Sequence, residues 1–351
     1  MKNKFAFSLM LLGAVVLLAL AACGTSAEKE EAKTEVSAET LARFGTMPAE
    51  ATPTDYETSE ELITLGRMLY YETRISVNGN MSCNTCHGLN NYGMDGLRFS
   101  FGHSGNPVGR NSPTVYNAAL HATQFWDGRA ANVEEQAKGP ILAGGEMGMP
   151  SAEHVVEALK AIPGYLPYFK AAFPGDSDPI TYDHVGQAIG AFERRLMTPG
   201  RFDKFLAGDK TVLTEQEQRG LALFVELNCI RCHDGPALGG ATFEKLGAAE
   251  PYTTNDLGRY NVTKKDTDKY AFKVPSLRNI AQTGPYLHDG SIPTLDDMVQ
   301  LMARHQLGEK LTLEQVDDIV TFLRLLTGEL PPVDYTGMPE LPPSPPPAAT
   351  E

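Results

Sequence analysis

The 351-residue sequence predicts a mainly α-helical protein built from two tandem units of one plan. Two helix-start signatures, Thr58-x-x-Glu61 and Thr214-x-x-Glu217, each precede an apolar stripe at helical spacing. Each stripe leads to a Cys-x-x-Cys-His motif, at 83–87 and at 229–233. Each half then closes on a second amphipathic stripe, so the order helix, cysteine motif, loop and helix occurs twice.

The elements follow in order. Lys2 and Lys4 precede an apolar run over 5–22 that ends in Leu20-Ala21-Ala22-Cys23-Gly24. This is the pattern of a secretory signal, and it resembles a bacterial lipobox. The resemblance implies cleavage after residue 22, a lipid on Cys23 and a place on the periplasmic side of a bacterial membrane. Residues 23–50 are rich in Glu, Lys, Ala and Thr without apolar periodicity, which predicts a flexible tether. The first unit, 51–208, opens with Leu62, Leu65 and Leu69 and closes with Val185, Ile189, Phe192 and Leu196. The second unit, 209–330, opens with Leu221, Phe224 and Val225. It closes with Val316, Ile319, Val320 and Leu323 behind the box Thr312-x-x-Gln315. The Pro-rich stretch 331–351 reads as a loose tail.

The net charge of −14 argues against a nucleic-acid partner, which would select a basic stripe. It is compatible with a basic redox partner. The five cysteines are accounted for without a disulfide. Cys23 takes the lipid, and Cys83, Cys86, Cys229 and Cys232 fall into the two motifs. Two residues between thiols let both sulfurs reach the vinyl groups of one haem, and the next residue, His87 or His233, then sits under the iron. A lone Cys-x-x-Cys could form a zinc half-site or a redox dithiol. The adjacent histidine, the duplication and the export signal favour haem c. The fold expected is therefore two tandem cytochrome c-like domains, each around one covalent haem c.

Further segments resemble the bacterial di-haem cytochrome c peroxidases. They are Gly109-Arg-Asn-Ser-Pro-Thr114, Gln124-Phe-Trp-Asp-Gly-Arg-Ala130, Glu135-Gln-Ala-Lys-Gly-Pro140, Phe272-Lys-Val-Pro-Ser-Leu-Arg-Asn279, Gly284-Pro-Tyr-Leu-His-Asp-Gly290 and Gln306-Leu-Gly308. The likeness spans about 54–327. It implies that His233 and Met302 are the axial ligands of a high-potential, electron-accepting second haem, with Met298 one turn earlier as the competing methionine. It implies that His87 is the proximal ligand of the first haem and that His103 is a loop ligand of the resting oxidised state. Glu146 corresponds to the distal acid-base and Gln136 to the distal amide. Trp126 corresponds to the residue that helps carry the electron between haems. Asn111, Thr283 and Pro285 correspond to a calcium site that has no carboxylate ligand of its own.

The activity implied is reduction of hydrogen peroxide to water with electrons from a small soluble cytochrome c or a cupredoxin. The alternative is a di-haem electron-transfer cytochrome with little peroxidase activity. Relatives that oxidise a partner's tryptophan carry a tyrosine where Met302 stands, which argues against that role. Family members form homodimers, and a homodimer is the assembly the resemblance allows.

Overall fold

The computed structural model describes residues 35–344. The expected signal peptide, Cys23 and the end of the tail at 345–351 lie outside the described residues. Helices carry the fold. The first half holds α1 (Ala38–Ala42), α2 (Glu60–Tyr71), α3 (Cys83–Cys86), α4 (Val133–Leu142), α5 (Ala152–Lys160), α6 (Tyr165–Ala172) and α7 (Tyr182–Glu193). Then come α8 (Arg201–Leu206), α9 (Glu215–Glu226), α10 (Tyr260–Thr263), α11 (Leu295–Met302), α12 (Leu313–Leu325) and α13 (Val333–Thr336). Two short antiparallel strands, β1 (Phe243–Lys245) and β2 (Ala271–Lys273), pair with Phe243 opposite Lys273.

Local chemistry sets the helix starts. At α9, Thr214 Oγ1 accepts from Glu217 N at 3.2 Å and Glu217 Oε2 accepts from Thr214 N at 2.7 Å. At α12 the same reciprocal pair joins Thr312 and Gln315. Both boxes satisfy backbone donors that a helix start leaves without partners. The box expected at Thr58 does not form. Glu60 is the first residue of α2, so the capping position falls to Ser59, whose Oγ accepts from Leu62 N at 3.1 Å.

The internal repeat extends to packing. Gly66 of α2 lies against α7, and a Cβ there would stand 1.8 Å from Ala188 O and 2.9 Å from Phe192 Cβ. Gly220 of α9 lies against α12, where a Cβ would stand 2.0 Å from Asp318 O and 2.8 Å from Phe322 Cβ. Each pair uses a glycine on one helix against residues i and i+4 on the other. These two crossings anchor two cores. The first gathers Leu65, Leu69, Val185, Ile189 and Phe192, and the second Leu221, Phe224, Ile319, Val320 and Leu323.

The flanks depart from expectation. Residues 35–50 are not a free tether, because Phe44 is fully buried in the second core, edge-on to Phe202 at 5.3 Å. Phe202 and Phe205 of α8 also join that core, so it begins before residue 209. The described part of the tail covers the first core. Tyr335 packs on Phe192 at 5.6 Å, Arg67 donates twice to Gly337 O, and Tyr71 bonds Thr336 O. Each flank thus seals the core of the opposite half. Single apolar residues such as Phe44 and Tyr335 leave no periodic trace in a polar or Pro-rich stretch.

Candidate active site

Two cavities lie beside the two cysteine motifs. The first, of about 470 Å³, is bordered by Cys83, Cys86 and His87. The single turn of α3 puts both thiols on one side, and His87 N bonds Cys83 O at 3.0 Å. Tyr70 of α2 donates to His87 O at 2.6 Å, which ties the motif to the helix pair. Gln136 of α4, Glu146 from the loop after it, and Arg129 also border this cavity. Burial raises the Glu146 carboxyl above the ordinary glutamate range, and the Arg129 guanidinium pulls it partly back. Arg129 is held over the Phe125 ring at 3.4 Å and by Asp127 at 3.1 Å.

His103 does not border this cavity. Its ring nitrogens pair with Gly144 O at 3.1 Å and with Asn78 Nδ2 at 3.3 Å. His103 is thus held on the loop side by the Gly144 carbonyl and Asn78. The loops carrying His103 and Glu146 are coupled, since His103 N donates to Glu146 O at 2.8 Å. Gly102 makes that approach possible, because a Cβ there would stand 1.9 Å from Gly145 O.

The second cavity, of about 250 Å³, is bordered by Cys229, Cys232 and His233, with Met298 and Met302 of α11 also on its wall. His233 Nδ1 pairs with Leu238 O at 3.2 Å, which leaves Nε2 for a metal. Burial pushes this imidazole down to about 4, and His87 is lowered by the same cause. Both rings are therefore neutral, as ligation requires. After Met302 the helix widens into a π turn, Ala303–Leu307, in which Gln306 Oε1 accepts from Gly247 N and Ala248 N at 2.7 and 3.1 Å.

The motif thiols are not poised as nucleophiles. Burial pushes Cys86 up to about 11 and Cys229 up to about 12, and Cys83 and Cys232 are raised by the same cause. Paired neutral thiols, a neutral buried imidazole and an adjoining cavity make a donor set that fits a haem held through both sulfurs at each motif.

Trp126 borders both cavities, and its Nε1 donates to Asn111 O at 2.9 Å. The Asn111 amide nitrogen is committed to Leu97 O and Arg98 O at 3.0 and 3.3 Å, so Oδ1 remains for another partner. Asn111, Thr283 and Pro285 all border the second cavity.

Sequence reasoning passed over four residues here. Glu193, at the end of α7, borders the first cavity with Oε2 unpartnered. Burial, helped by the nearby Glu134, pushes it up to about 8. Arg129 and Lys273 lie inside segments quoted above for their likeness, yet nothing local marks them as site residues. His121 lies just outside one.

The model of the di-haem cytochrome c peroxidase family matches residues 60–211. The chain is 43% identical over 288 residues to the cytochrome c551 peroxidase of Nitrosomonas europaea, covering 81% of this chain and 84% of that protein. It is 41% identical to the cytochrome c551 peroxidase of Pseudomonas aeruginosa, covering 80% of this chain and 83% of that one. Among solved structures, a MauG-like protein associated with microbial copper homeostasis superposes with a TM-score of 0.72 at 30% identity, over 81% of this chain and 94% of that one.

Proposed function

The chain belongs to the di-haem cytochrome c peroxidase family, and on that premise we propose that it reduces hydrogen peroxide to water with electrons from a small soluble redox protein, a cytochrome c or a cupredoxin. It is an oxidoreductase with two haem c groups. When bound, each haem supplies a one-electron iron centre, and one of the two must offer a face to peroxide.

The observation that carries the assignment is the inequivalence of the cavities. The first is bordered by the buried, raised carboxyl of Glu146 together with Gln136 and Arg129, whereas the second has Met298 and Met302 from one helix, and its carboxyl, Glu244, is partly exposed and faces Arg231 at 3.9 Å. Peroxide cleavage needs a proton removed from one oxygen and delivered to the other, so that water can leave. Glu146 moves that proton, and burial brings its affinity toward the working range of a general acid-base. Gln136 orients the substrate through its amide, and His103 leaves the cavity free for it.

In the second site His233 and Met302 would hold the iron, which would give it a higher potential than two histidines. Trp126, on the wall of both cavities, links the sites. The halves are two cytochrome c-like domains, expected at 51–208 and 209–330, with the second core reaching back to α8. Asn111 Oδ1 and the carbonyls of Thr283 and Pro285 hold a calcium ion, a hard cation suited to oxygen donors. A lipid on Cys23 would anchor the enzyme on the periplasmic side, and a homodimer is the assembly its family allows. Among the described residues, no helix is long and apolar enough to cross a membrane.

Peroxide turnover by the fully oxidised and the one-electron-reduced protein, with haem absorption recorded in each state, tests the function. Turnover after reduction, with a five-coordinate first haem, is expected. Inactivity in both states with six-coordinate irons throughout would leave an electron carrier.

A further inference from the structure

We propose that Thr198 is a positioning residue for both haem sites at once: its hydroxyl joins two matching loops, one from each half, that lead to the two motif histidines. The loops are Pro113-Thr-Val-Tyr-Asn117 and Pro275-Ser-Leu-Arg-Asn279, which share one pattern of proline, hydroxyl residue, branched apolar residue and final asparagine.

Each loop starts at its own site. Pro113 and Thr114 border the first cavity, and Pro275 and Ser276 the second. Thr114 Oγ1 donates to Tyr92 O at 2.6 Å, in the chain just after His87, and accepts from Tyr116 N at 3.0 Å. Ser276 Oγ donates to Ala237 O at 2.6 Å, in the chain just after His233, and accepts from Arg278 N at 3.1 Å. The next residues repeat the match, with Val115 N on Gly93 O at 3.3 Å and Leu277 N on Leu238 O at 3.2 Å. Leu238 O is also the carbonyl that pairs with His233 Nδ1, and such a partner sets the orientation of a ligating ring.

Each loop ends on an asparagine with φ of 60°, a conformation this side chain tolerates. Asn117 N donates to Leu196 O at 2.8 Å and Asn279 N to Leu326 O at 3.1 Å, so each meets the chain leaving its own closing helix, α7 or α12. Asn117 Oδ1 accepts from Thr198 N at 3.0 Å, and Asn279 Oδ1 from Gly328 N at 2.9 Å. With both oxygens committed, both amide nitrogens turn to one atom. Thr198 Oγ1 accepts from Asn117 Nδ2 at 2.8 Å and from Asn279 Nδ2 at 2.9 Å, which uses the two acceptor positions of a hydroxyl. All three side chains are fully buried.

The sharing follows from space. Gly328 holds in the second half the place that Thr198 holds in the first. A Cβ on Gly328 would stand 1.9 Å from Thr198 O, so the junction has room for one side chain, and that one serves both loops. Asn117, Thr198 and Asn279 border neither cavity, and the bonds of the junction are made by the chain alone. Losing the hydroxyl leaves two buried amide donors without a partner, which is costly enough to shift both loops. A change at one asparagine likewise reaches the other loop through Thr198. The inference rests on both motifs holding haem and does not depend on peroxide being the substrate.

Electron paramagnetic resonance of the fully oxidised holoprotein, in which each ferric haem reports the geometry of its axial ligands, tests it. Thr198→Val, close in shape, should shift the signals of both haems. Thr198→Ser, which keeps the hydroxyl, should leave both native. Asn279→Gly removes a side chain at a backbone angle that glycine accepts, and should shift the first haem's signal as well as the second's. Asn117→Gly should do the reverse. In a Thr198→Val background each asparagine change should act on its own haem only, so the cross effect is lost. If Thr198→Val does not load haem, the two asparagine variants decide alone. Asparagine variants that each shift only their own haem overturn the proposal. So does a Thr198→Ser protein that shifts as the valine variant does, because packing and not the hydroxyl then sets the loops.

Discussion

Replacing Glu146 by glutamine keeps the size and a polar head and removes the carboxyl proposed to move the proton in the first cavity. General acid-base catalysis contributes roughly 10²–10⁴ in rate. This case should lie near the top of that range, because Asp127 and Asp256 on the same wall are each committed to Arg110 at 2.7 Å. Glu193, also on the cavity wall, stays protonated up to about 8 and cannot act as a base below that. Arg129 is cationic throughout and cannot accept a proton. A loss of about 10³–10⁴ in kcat, or about 4–5 kcal/mol in the barrier, is expected. The assay is peroxide turnover against pH with reduced donor in excess and haem absorption as the control. Native activity should fall as pH drops through the Glu146 titration, at a pH above the ordinary glutamate range. The variant should lack that limb. Arg129→Gln removes the charge that opposes the upward shift, so its limb should move to higher pH. A Glu146→Gln enzyme within about threefold of native kcat, or one that keeps the acid limb, would refute the role of this carboxyl.

The acid at Glu193 links stability to pH. Its affinity is raised on folding, so the native state binds more protons than the unfolded state between the ordinary glutamate range and about 8, and stability falls as pH rises through that window. Glu193→Gln should change little at low pH and stabilise the holoprotein by several kcal/mol, on the order of 4, at the upper end, as read by chemical denaturation; equal effects at both ends would count against it. Gly220→Ala puts a methyl 2.0 Å from Asp318 O and must push α9 from α12, at a cost of about 1–3 kcal/mol read as a lower Tm. Because Phe224 and Leu323 of those helices line the second cavity, its haem spectrum should change while that of the first does not. Calcium removal by a chelator should lower activity, and a protein that neither contains calcium by elemental analysis nor responds to chelation has no ion at Asn111.

Features made within one turn of chain were legible before the fold was known. The boxes at Thr214 and Thr312 are bonds between residues three apart, and the haem motifs are local covalent geometry. Ser59 shows the limit of that legibility. Two adjacent hydroxyl residues each read as a cap, and only the helix start at Glu60 decides between them. Burial produced by distant chain was not legible. Phe44 and Tyr335 become core residues because each flank crosses to the opposite half. Lys273 reads as a surface lysine on a short strand until two cavities meet around it. Glu193 stands four residues after Ile189, on the face that periodicity buries, yet a glutamate reads as a surface residue.

The duplicated scaffold cannot be the source of the different chemistry proposed for the two sites. Gly66 on Ala188 and Phe192 repeats as Gly220 on Asp318 and Phe322, so both helix pairs position their motifs by the same close approach. The difference enters through what each half adds. In the first, α4 and its flanking loops bring Gln136, Arg129 and Glu146 over the cavity. In the second, α11 brings Met298 and Met302 to the wall, and the π turn adds Ala303, Gln306 and Leu307. The segment around Trp126 borders both, so a loop of the first half closes the space of the second. Substitutions at the helix crossings should therefore act on one haem through packing. Substitutions in the shared wall should move both potentials together, because either site sees the same charge across it.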